Sequence, residues 1–300
     1  MGQEAYARLV ARFHPGCRLI RAWRLTGGAS AESIALEIEA PGGRSFRRVV
    51  RRHGEGDRAV NPAVALDEYR LLQVLRAEGF AVPAAYEHDD SGRILSTPYI
   101  VTGFVEGTAE VALASRPFCT ERAAAELAHL HRLKARDPRL AFLARRDPLS
   151  TRELAEERAA DADWDVEQVI RQALERRWPL PAEGEAVLLH GDFWPGNLLW
   201  QGERLAAVID WEDACLGDPL VDLGPARLEL LWAWGEAAVE SFTAHYRALT
   251  GRPLAALALY DLWCALRALL RLPGWGLPAA EQAEKRLLLR GFVDAALTAL

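Results

Sequence analysis

Three polar residues whose side chains suit phosphoryl transfer follow one another within a short stretch of the chain. Asp192 lies five residues before Asn197, and Asp210 follows Asn197 by thirteen residues. In phosphoryl transfer a carboxylate accepts the proton of the attacking hydroxyl, and oxygen ligands hold the magnesium ions that bridge the nucleotide phosphates. Those ligands must converge from neighbouring segments, which a loop and the end of the next strand can do. The spacing therefore favours phosphoryl-transfer chemistry here.

Two short apolar runs frame this stretch, residues 186–189 before it and residues 205–209 after it. Short apolar runs bounded by turn residues are typical of buried strands. Polar groups at the ends of buried strands are costly to keep there, so they usually serve chemistry. The alternative is a hairpin whose Asp and Asn side chains only satisfy turn hydrogen bonds. Because His190 adds a fourth polar group to the same hairpin, a functional role is favoured.

The first hundred residues predict an antiparallel sheet with one main helix. A short helix over 3–13 comes first, and the main helix, over 64–77, is inserted after the third strand. The strands are predicted at 19–25, 33–39, 45–52, 85–88 and 99–104. Together these elements predict a small α+β lobe that covers residues 1–106.

The pattern becomes helical after Glu106 and Gly107. Thr120 is predicted to cap a helix that runs to Arg136. Four more helices are predicted near the end of the chain, at about 222–234, 236–250, 254–271 and 278–299. Residues 107–300 are therefore predicted to form a second, mostly helical lobe.

Composition excludes several classes of protein. The formal net charge of -6 argues against a nucleic-acid-binding surface. The four cysteines are far apart and form no CxxC pair. This spacing argues against a structural zinc site and against a disulfide framework. No apolar run reaches the length that spans a bilayer, and the first residues do not resemble a signal peptide. We therefore expect a cytoplasmic protein with neither a nucleic-acid nor a membrane partner.

Three segments of the chain resemble the aminoglycoside phosphotransferase family, a branch of the protein-kinase-like superfold. The segments are His190-Gly191-Asp192-x-x-x-x-Asn197, Ile209-Asp210-Trp211-Glu212 and Gly217-Asp218-Pro219-x-x-Asp222-Leu223. The resemblance covers most of the chain, from about Thr26 to at least Gly224. It implies a two-lobed α+β fold, with a nucleotide-binding lobe over 1–106 and with the catalytic loop and substrate pocket in the lobe over 107–300.

The resemblance also implies roles for the polar residues of these segments. Asp192 would be the catalytic base, and Asn197 and Asp210 would be the Mg²⁺ ligands. Three further residues would support the loop rather than react, with Asp222 also capping the next helix; they are His190, Asp218 and Asp222. Glu212 and Asp213 could contact a cationic acceptor, although both could also be solvated.

The N-terminal lobe would bind ATP, with GTP as the alternative nucleotide. The hairpin turn that would cover the phosphates contains Gly27, Gly28 and Ser30. Kinase-like folds also place a cation from a strand on the phosphates and pair it with a helix glutamate. This lobe contains no lysine, so Arg51 is the first candidate and Arg52 the second, with Glu68 as the partner. Both arginines could instead be a charged strand end.

The sequence thus predicts a magnesium-dependent kinase that transfers the γ-phosphate of ATP to a hydroxyl of a small molecule. Two alternatives stay open. The missing lysine is compatible with a catalytically silent nucleotide-binding protein. A metal-dependent phosphoesterase is the other, because a His-Gly-Asp sequence and a later aspartate can bind a metal pair. The identity of the acceptor does not follow from the residues.

Overall fold

The computed structural model describes residues 2–25, 31–146, 164–177, 179–182 and 184–300. The chain divides into two compact units. The first contains Met1–Thr108, Leu199–Gln201 and Leu205–Glu212, and the second contains Ala109–Leu198, Gly202–Arg204 and Asp213–Leu300. The first unit therefore combines the N-terminal part of the chain with a later hairpin.

The N-terminal part of the first unit is an antiparallel sheet accompanied by helices. Its elements are α1 (Gln3–Phe13), β1 (Arg18–Arg24), β2 (Ala31–Glu39), β3 (Ser45–His53), α2 (Glu55–Val60), α3 (Val64–Ala77), β4 (Ala85–Asp89) and β5 (Tyr99–Gly103). The five strands lie in the order β1-β2-β3-β5-β4, and each neighbouring pair is antiparallel. The predicted antiparallel sheet with one main helix is confirmed.

One face of this sheet forms the core with α1. The strand residues of that core include Ile34, Leu36, Ile38 and Val50, and the helix residues are Tyr6, Leu9 and Val10. Ile34 pairs with Val50, and the next pair along the two strands is Ser33 with Arg51. Because successive side chains of a strand point to opposite faces, Arg51 lies on the face away from this core.

The second unit is mostly helical, as predicted. Its helices are α4 (Arg116–Leu130), α5 (Trp164–Glu175), α6 (Leu220–Trp234), α7 (Glu236–Thr250), α8 (Leu257–Arg271) and α9 (Ala279–Thr298). The short strands of this half of the chain are β6 (Val187–Leu189), β7 (Leu198–Gln201), β8 (Arg204–Val208) and β9 (Cys215–Gly217). β6 pairs with β9, and β7 pairs with β8 in a hairpin. In the described part of the chain, no helix has both the length and the apolar character of a membrane crossing.

The predicted start of the first long helix in this half is wrong. Thr120 was expected to cap a helix over 120–136, but α4 begins at Arg116 and ends at Leu130. Proline is favoured in the first turn of a helix, where its missing N–H has no intrahelical partner to lose, and Pro117 occupies that turn. The Thr120 hydroxyl instead donates a hydrogen bond to the Arg116 carbonyl one turn earlier, at 2.7 Å.

The four cysteines are free thiols with unequal exposure. Cys17, immediately before β1, is half-buried, whereas Cys119, Cys215 and Cys264 of the second unit are buried. Burial raises the pKa of Cys215 to about 12 and the pKa of Cys264 well above its ordinary value. Burial also raises the pKa of Cys119. The three buried thiols therefore stay protonated at neutral pH.

Candidate functional site

The predicted catalytic loop of the second unit lies between β6 and β7. The Asn197 amide nitrogen donates hydrogen bonds to the Asp192 carbonyl at 2.9 Å and to the Asp192 carboxylate at 3.0 Å. Asn197 is buried, whereas Asp192 is exposed. Both hydrogen bonds use the amide nitrogen of Asn197, so its amide oxygen is directed elsewhere. The loop thus presents an oriented, solvent-accessible carboxylate.

The sharp turn before Asp192 requires a glycine. Gly191 has φ of +85°, a backbone conformation that side chains disfavour. A Cβ atom at this position would also collide with the backbone carbonyl of Asp213. The chain can therefore turn from the buried strand β6 toward the exposed Asp192 only because residue 191 has no side chain.

The loop is attached to the helical core through Asp222, which is buried on α6. Its carboxylate accepts hydrogen bonds from the backbone N–H groups of His190 at 2.7 Å and Gly191 at 2.9 Å. The Nε2 atom of His131 lies 3.3 Å from the same carboxylate, and His131 Nδ1 lies 2.6 Å from the Tyr246 hydroxyl. Burial opposes ionisation of Asp222, but the hydrogen bond with His131 and the neighbouring polar groups hold its pKa below the usual range. Asp222 is thus an ionised anchor for the loop.

Asp222 does not cap the helix, contrary to the expectation from the sequence. α6 begins at Leu220, so Asp222 already lies within its first turn. The carboxylate that accepts the hydrogen bond of the Leu220 N–H, at 2.8 Å, belongs to Asp218. The helix-capping role therefore moves to Asp218, and the Asp222 side chain is free to bind the loop backbone.

The first unit contains a buried arginine surrounded by carboxylates. Arg51 Nη1 donates a hydrogen bond to Asp210 Oδ1, and Arg51 Nη2 lies 2.5 Å from Glu212 Oε2. Arg51 Nε lies 3.7 Å from Glu68 Oε2. Burial disfavours the charge of Arg51, but the three carboxylates outweigh it and raise the pKa of the guanidinium above its ordinary value. The structure thus brings the candidate phosphate-binding cation, its helix partner and one predicted magnesium ligand into one cluster.

Asp210 has an unusual backbone within this cluster. Its φ is +66°, which costs energy for a residue with a side chain and is tolerated for aspartate more readily than for most others. The following residue, Trp211, is buried, and its indole N–H donates to the Val208 carbonyl at 3.0 Å. The hydrogen bond from Trp211 to Val208 therefore stabilises the turn after β8, and the Asp210 carboxylate in this turn contacts Arg51.

Arg52, the second candidate cation, has different neighbours. Its Nη1 atom lies 2.6 Å from Glu32, and its Nε atom donates to the Thr97 hydroxyl at 2.9 Å. Arg51 and Arg52 are adjacent on β3, so their side chains leave opposite faces of the sheet. The alternation of the strand thus separates the two candidates, and only Arg51 joins the carboxylate cluster.

Three predicted nucleotide contacts lie outside the described residues: Gly27, Gly28 and Ser30.

Two other residues, Glu212 and Asp213, were expected to contact a cationic acceptor. Glu212 is committed to Arg51, and its side chain is only 7% exposed. Asp213 is exposed, and its backbone carbonyl is the group that packs over Gly191. The Glu212 carboxylate therefore has a buried counter-charge, and the contact of Glu212 or Asp213 with an acceptor stays a prediction.

Two residues near the site were missed in the sequence. Glu229 lies on α6 seven residues after Asp222, so the two share a helix face. Burial raises the pKa of Glu229 to about 7, with Lys285 opposing the shift and Asp192 adding to it. His53 is buried at the end of β3 beside Glu68. The available signals were a lone glutamate in an apolar helix and a histidine two residues beyond Arg51.

Comparisons with known proteins identify the family and the fold of the chain. A family model described as the phosphotransferase enzyme family (APH) matches residues 23–260. Acyl-CoA dehydrogenase family member 11 of Gallus gallus is 28% identical to the chain over 205 residues, which is 64% of this chain and 26% of that protein. The chain therefore spans about a quarter of the length of this curated relative.

Two solved structures resemble the chain over nearly its whole length. A thermostable mutant of aminoglycoside phosphotransferase APH(4)-Ia, in a ternary complex with AMP-PNP and hygromycin B, has a TM-score of 0.64 and 17% identity, and covers 98% of this chain and 98% of that chain. The GDP complex of aminoglycoside 2'-phosphotransferase-IIIa has a TM-score of 0.68 and 16% identity, and covers 98% of this chain and 99% of that chain. At these identities the likeness establishes the fold, and the α+β, protein-kinase-like fold class is confirmed.

The family match extends over well more than half of the chain, and it includes every segment that carried the resemblance in the sequence. It covers the sheet with Arg51, the loop with Asp192 and Asn197, and the helix that anchors this loop. The chain belongs to the phosphotransferase enzyme family.

Proposed function

We propose that the protein transfers the γ-phosphoryl group of ATP, or of GTP, to a hydroxyl of a small molecule, with Asp192 as the base. The observation that carries this proposal is the loop geometry. An exposed carboxylate, oriented by Asn197 and anchored through Asp222, is suited to accept a proton from an incoming hydroxyl. The nucleotides bound in the two similar structures, AMP-PNP and GDP, support a nucleotide as the phosphoryl donor.

Asn197 and Asp210 are the magnesium ligands in this proposal. The amide nitrogen of Asn197 is used by Asp192, so its oxygen is the atom available to a cation. Asp210 supplies a carboxylate from the Arg51 cluster. Mg²⁺ is usually bound through one or two protein oxygens together with phosphates and water, so these two residues fit the ion. When bound, magnesium would neutralise phosphate charge.

The remaining roles in this proposal are to bind the nucleotide and to orient the acceptor hydroxyl. Phosphoryl transfer requires little covalent chemistry of the protein, so positioning and charge dominate the catalysis. Arg51 would bind the nucleotide phosphates, and Glu68 would hold the Nε edge of its guanidinium. Asp192 would align the acceptor hydroxyl and take its proton.

For the acceptor, we propose only a chemical class. Hygromycin B is bound in one similar structure, and the curated relative is named for acyl-CoA chemistry. We therefore propose a hydroxyl compound and include aminoglycosides and hydroxyacyl compounds among the candidates. The deciding experiment is a screen in which purified protein, magnesium and ATP or GTP are incubated with each candidate and nucleotide diphosphate release is measured.

The screen also separates the alternatives. Acceptor-dependent ADP or GDP release that the Asp192→Asn variant lacks supports the kinase. Nucleotide binding without release on any acceptor supports a silent nucleotide-binding protein. Phosphate release from a phosphoester in the absence of nucleotide supports a phosphoesterase and contradicts the kinase.

The choice between the two strand cations can be tested directly. Arg51→Ala is expected to raise the KM for ATP about 10- to 100-fold, because hydrogen bonds to charged groups are worth about 1.5–3 kcal/mol. Arg52→Ala, the matched control on the same strand, is expected to change it less than about threefold because Arg52 pairs with Glu32. The measurement is ADP release against ATP concentration, with magnesium in excess. A larger effect of Arg52→Ala would assign the phosphate contact to Arg52.

Glu229 predicts a feature of the pH profile. Its pKa of about 7 means that a second negative charge develops beside Asp192 as the pH rises through neutrality. We expect the transfer rate of the wild type to change across that range, and Glu229→Gln to remove this component. Initial rates between about pH 6 and 8 would be compared. A profile that is identical in both proteins would exclude Glu229 from the environment of the base.

A further inference from the structure

His53 is a buried titratable group that the proposed mechanism does not use. It ends β3, and its side chain is fully shielded from solvent. His53 Nε2 lies 2.6 Å from Glu68 Oε2, whereas the nearest Arg51 nitrogen lies 3.7 Å from the same oxygen. The pKa of Glu68 is below its usual range, since Arg51 and the hydrogen bond with His53 outweigh its burial. The carboxylate can only accept, so His53 Nε2 donates the hydrogen bond.

Two side chains, Arg51 and His53, share the contacts that a single strand cation makes in other kinase-like folds. Arg51 and His53 are two residues apart on β3, so both point to the same face of the sheet. Glu68 comes from the early part of α3 and is 4% exposed. His53 makes the hydrogen bond to this carboxylate, and the two terminal nitrogens of Arg51 reach Asp210 and Glu212 instead. Only the Nε edge of Arg51 is directed toward Glu68.

The charges of the cluster explain why such a division is needed. Glu68, Asp210 and Glu212 surround a single guanidinium. A buried carboxylate is stable only if hydrogen bonds satisfy those of its oxygen lone pairs that the ion pair does not satisfy. Without His53, Glu68 would draw the guanidinium toward itself, and the terminal nitrogens would turn away from their present direction.

We propose that His53 is a positioning residue for nucleotide binding, which holds Glu68 so that the two terminal nitrogens of Arg51 stay directed toward Asp210 and Glu212 rather than toward Glu68. This inference rests on the proposed function, because it concerns the same nucleotide site. His53 itself touches neither the nucleotide nor the acceptor. Its effect reaches the phosphates through Glu68 and Arg51.

The test compares two replacements of His53. His53→Phe keeps a ring but removes the donor, and His53→Gln places an amide nitrogen near the position of Nε2. We expect His53→Phe to raise both the KM for ATP and the dissociation constant of magnesium-ATP about tenfold, the effect of losing one hydrogen bond to a charged group. Its kcat should stay within about threefold of the wild type. His53→Gln should restore most of the lost affinity.

A merely structural role makes different predictions. It would lower the folded fraction and hence the apparent kcat, would leave the KM for ATP unchanged, and would not be rescued by glutamine. That result would overturn the inference. If His53→Phe does not fold, His53→Asn replaces it, because its shorter amide cannot reach Glu68 from the same backbone; equal affinities of the Asn and Gln variants would also overturn it.

The binding measurement keeps this inference separate from the proposed function. If no acceptor receives phosphate but the magnesium-ATP affinity still falls in His53→Phe and recovers in His53→Gln, the inference stands and the proposed transfer fails. If acceptor phosphorylation is observed and both variants keep the wild-type affinity, the proposed function stands and the inference fails.

Discussion

The Asp192→Asn variant is expected to bind magnesium-ATP nearly as well as the wild type and to transfer phosphate about 10²–10⁴ times more slowly. Asparagine matches aspartate in size, so it can still accept the hydrogen bond that the Asn197 amide donates to the side chain. It cannot take a proton from a hydroxyl. The loss should therefore appear in kcat and leave the KM for ATP nearly unchanged.

Single-turnover ADP release and a nucleotide titration would measure the two quantities on the same preparation. Asp294→Asn, which changes an exposed carboxylate on α9, is the matched control and should behave like the wild type. A variant that kept the wild-type rate would show that another group acts as the base. A variant that lost nucleotide binding as well would place Asp192 in the nucleotide site instead.

The second large effect is expected from Asp222→Ala. This change removes the acceptor of the backbone N–H groups of His190 and Gly191, in the loop that carries Asp192, and the partner of His131. Buried donors left without an acceptor are costly, and breaking a buried charged network costs about 3–5 kcal/mol of unfolding free energy. The loop that carries Asp192 should also lose its order, so the transfer rate should fall together with the stability.

Urea unfolding followed by tryptophan fluorescence would measure the loss of stability, again with Asp294→Asn as the control. The pKa of Asp222 is lower in the folded protein than in the unfolded chain. The contribution of Asp222 to the unfolding free energy is therefore fully present above the ordinary aspartate pKa of about 3.9. It is lost as the pH falls through the pKa that Asp222 has in the folded protein. The difference between wild type and variant should persist at neutral pH and shrink in acid. A difference that grew in acid would contradict an ionised Asp222.

The local features of the chain were the most predictable from the sequence. Residue types and spacing placed Asp192 and Asn197 on one loop because five residues are enough to close a short turn. The alternation of β2 indicated a half-buried strand. Helix starts were less predictable: Pro117 moved the start of α4, and Asp218 took the capping role expected of Asp222. Several residues compete to start a helix, and tertiary hydrogen bonds decide among them.

The partners of the charged residues could not be predicted in the same way. The sequence left Arg51 and Arg52 as alternatives, since the face of a strand that each side chain occupies depends on the register with β2. The contact of Glu212 with Arg51 was not foreseen, because it joins segments that are far apart in the chain. His53 was overlooked because the predicted strand ended at Arg52, whereas β3 extends to His53. The first unit itself combines Met1–Thr108 with later segments, which a single boundary along the sequence cannot express.

The unequal exposure of the cysteines has a practical consequence. A maleimide reagent reacts with the thiolate, and the buried thiols of Cys119, Cys215 and Cys264 form it poorly because burial raises their pKa. Cys17 is half-buried beside β1, and it is the thiol that the reagent should modify first. The wild-type chain can thus carry one fluorophore on its first unit without any cysteine substitution. The emission of such a probe would test whether a nucleotide binds to the first unit, as proposed, independently of phosphate transfer.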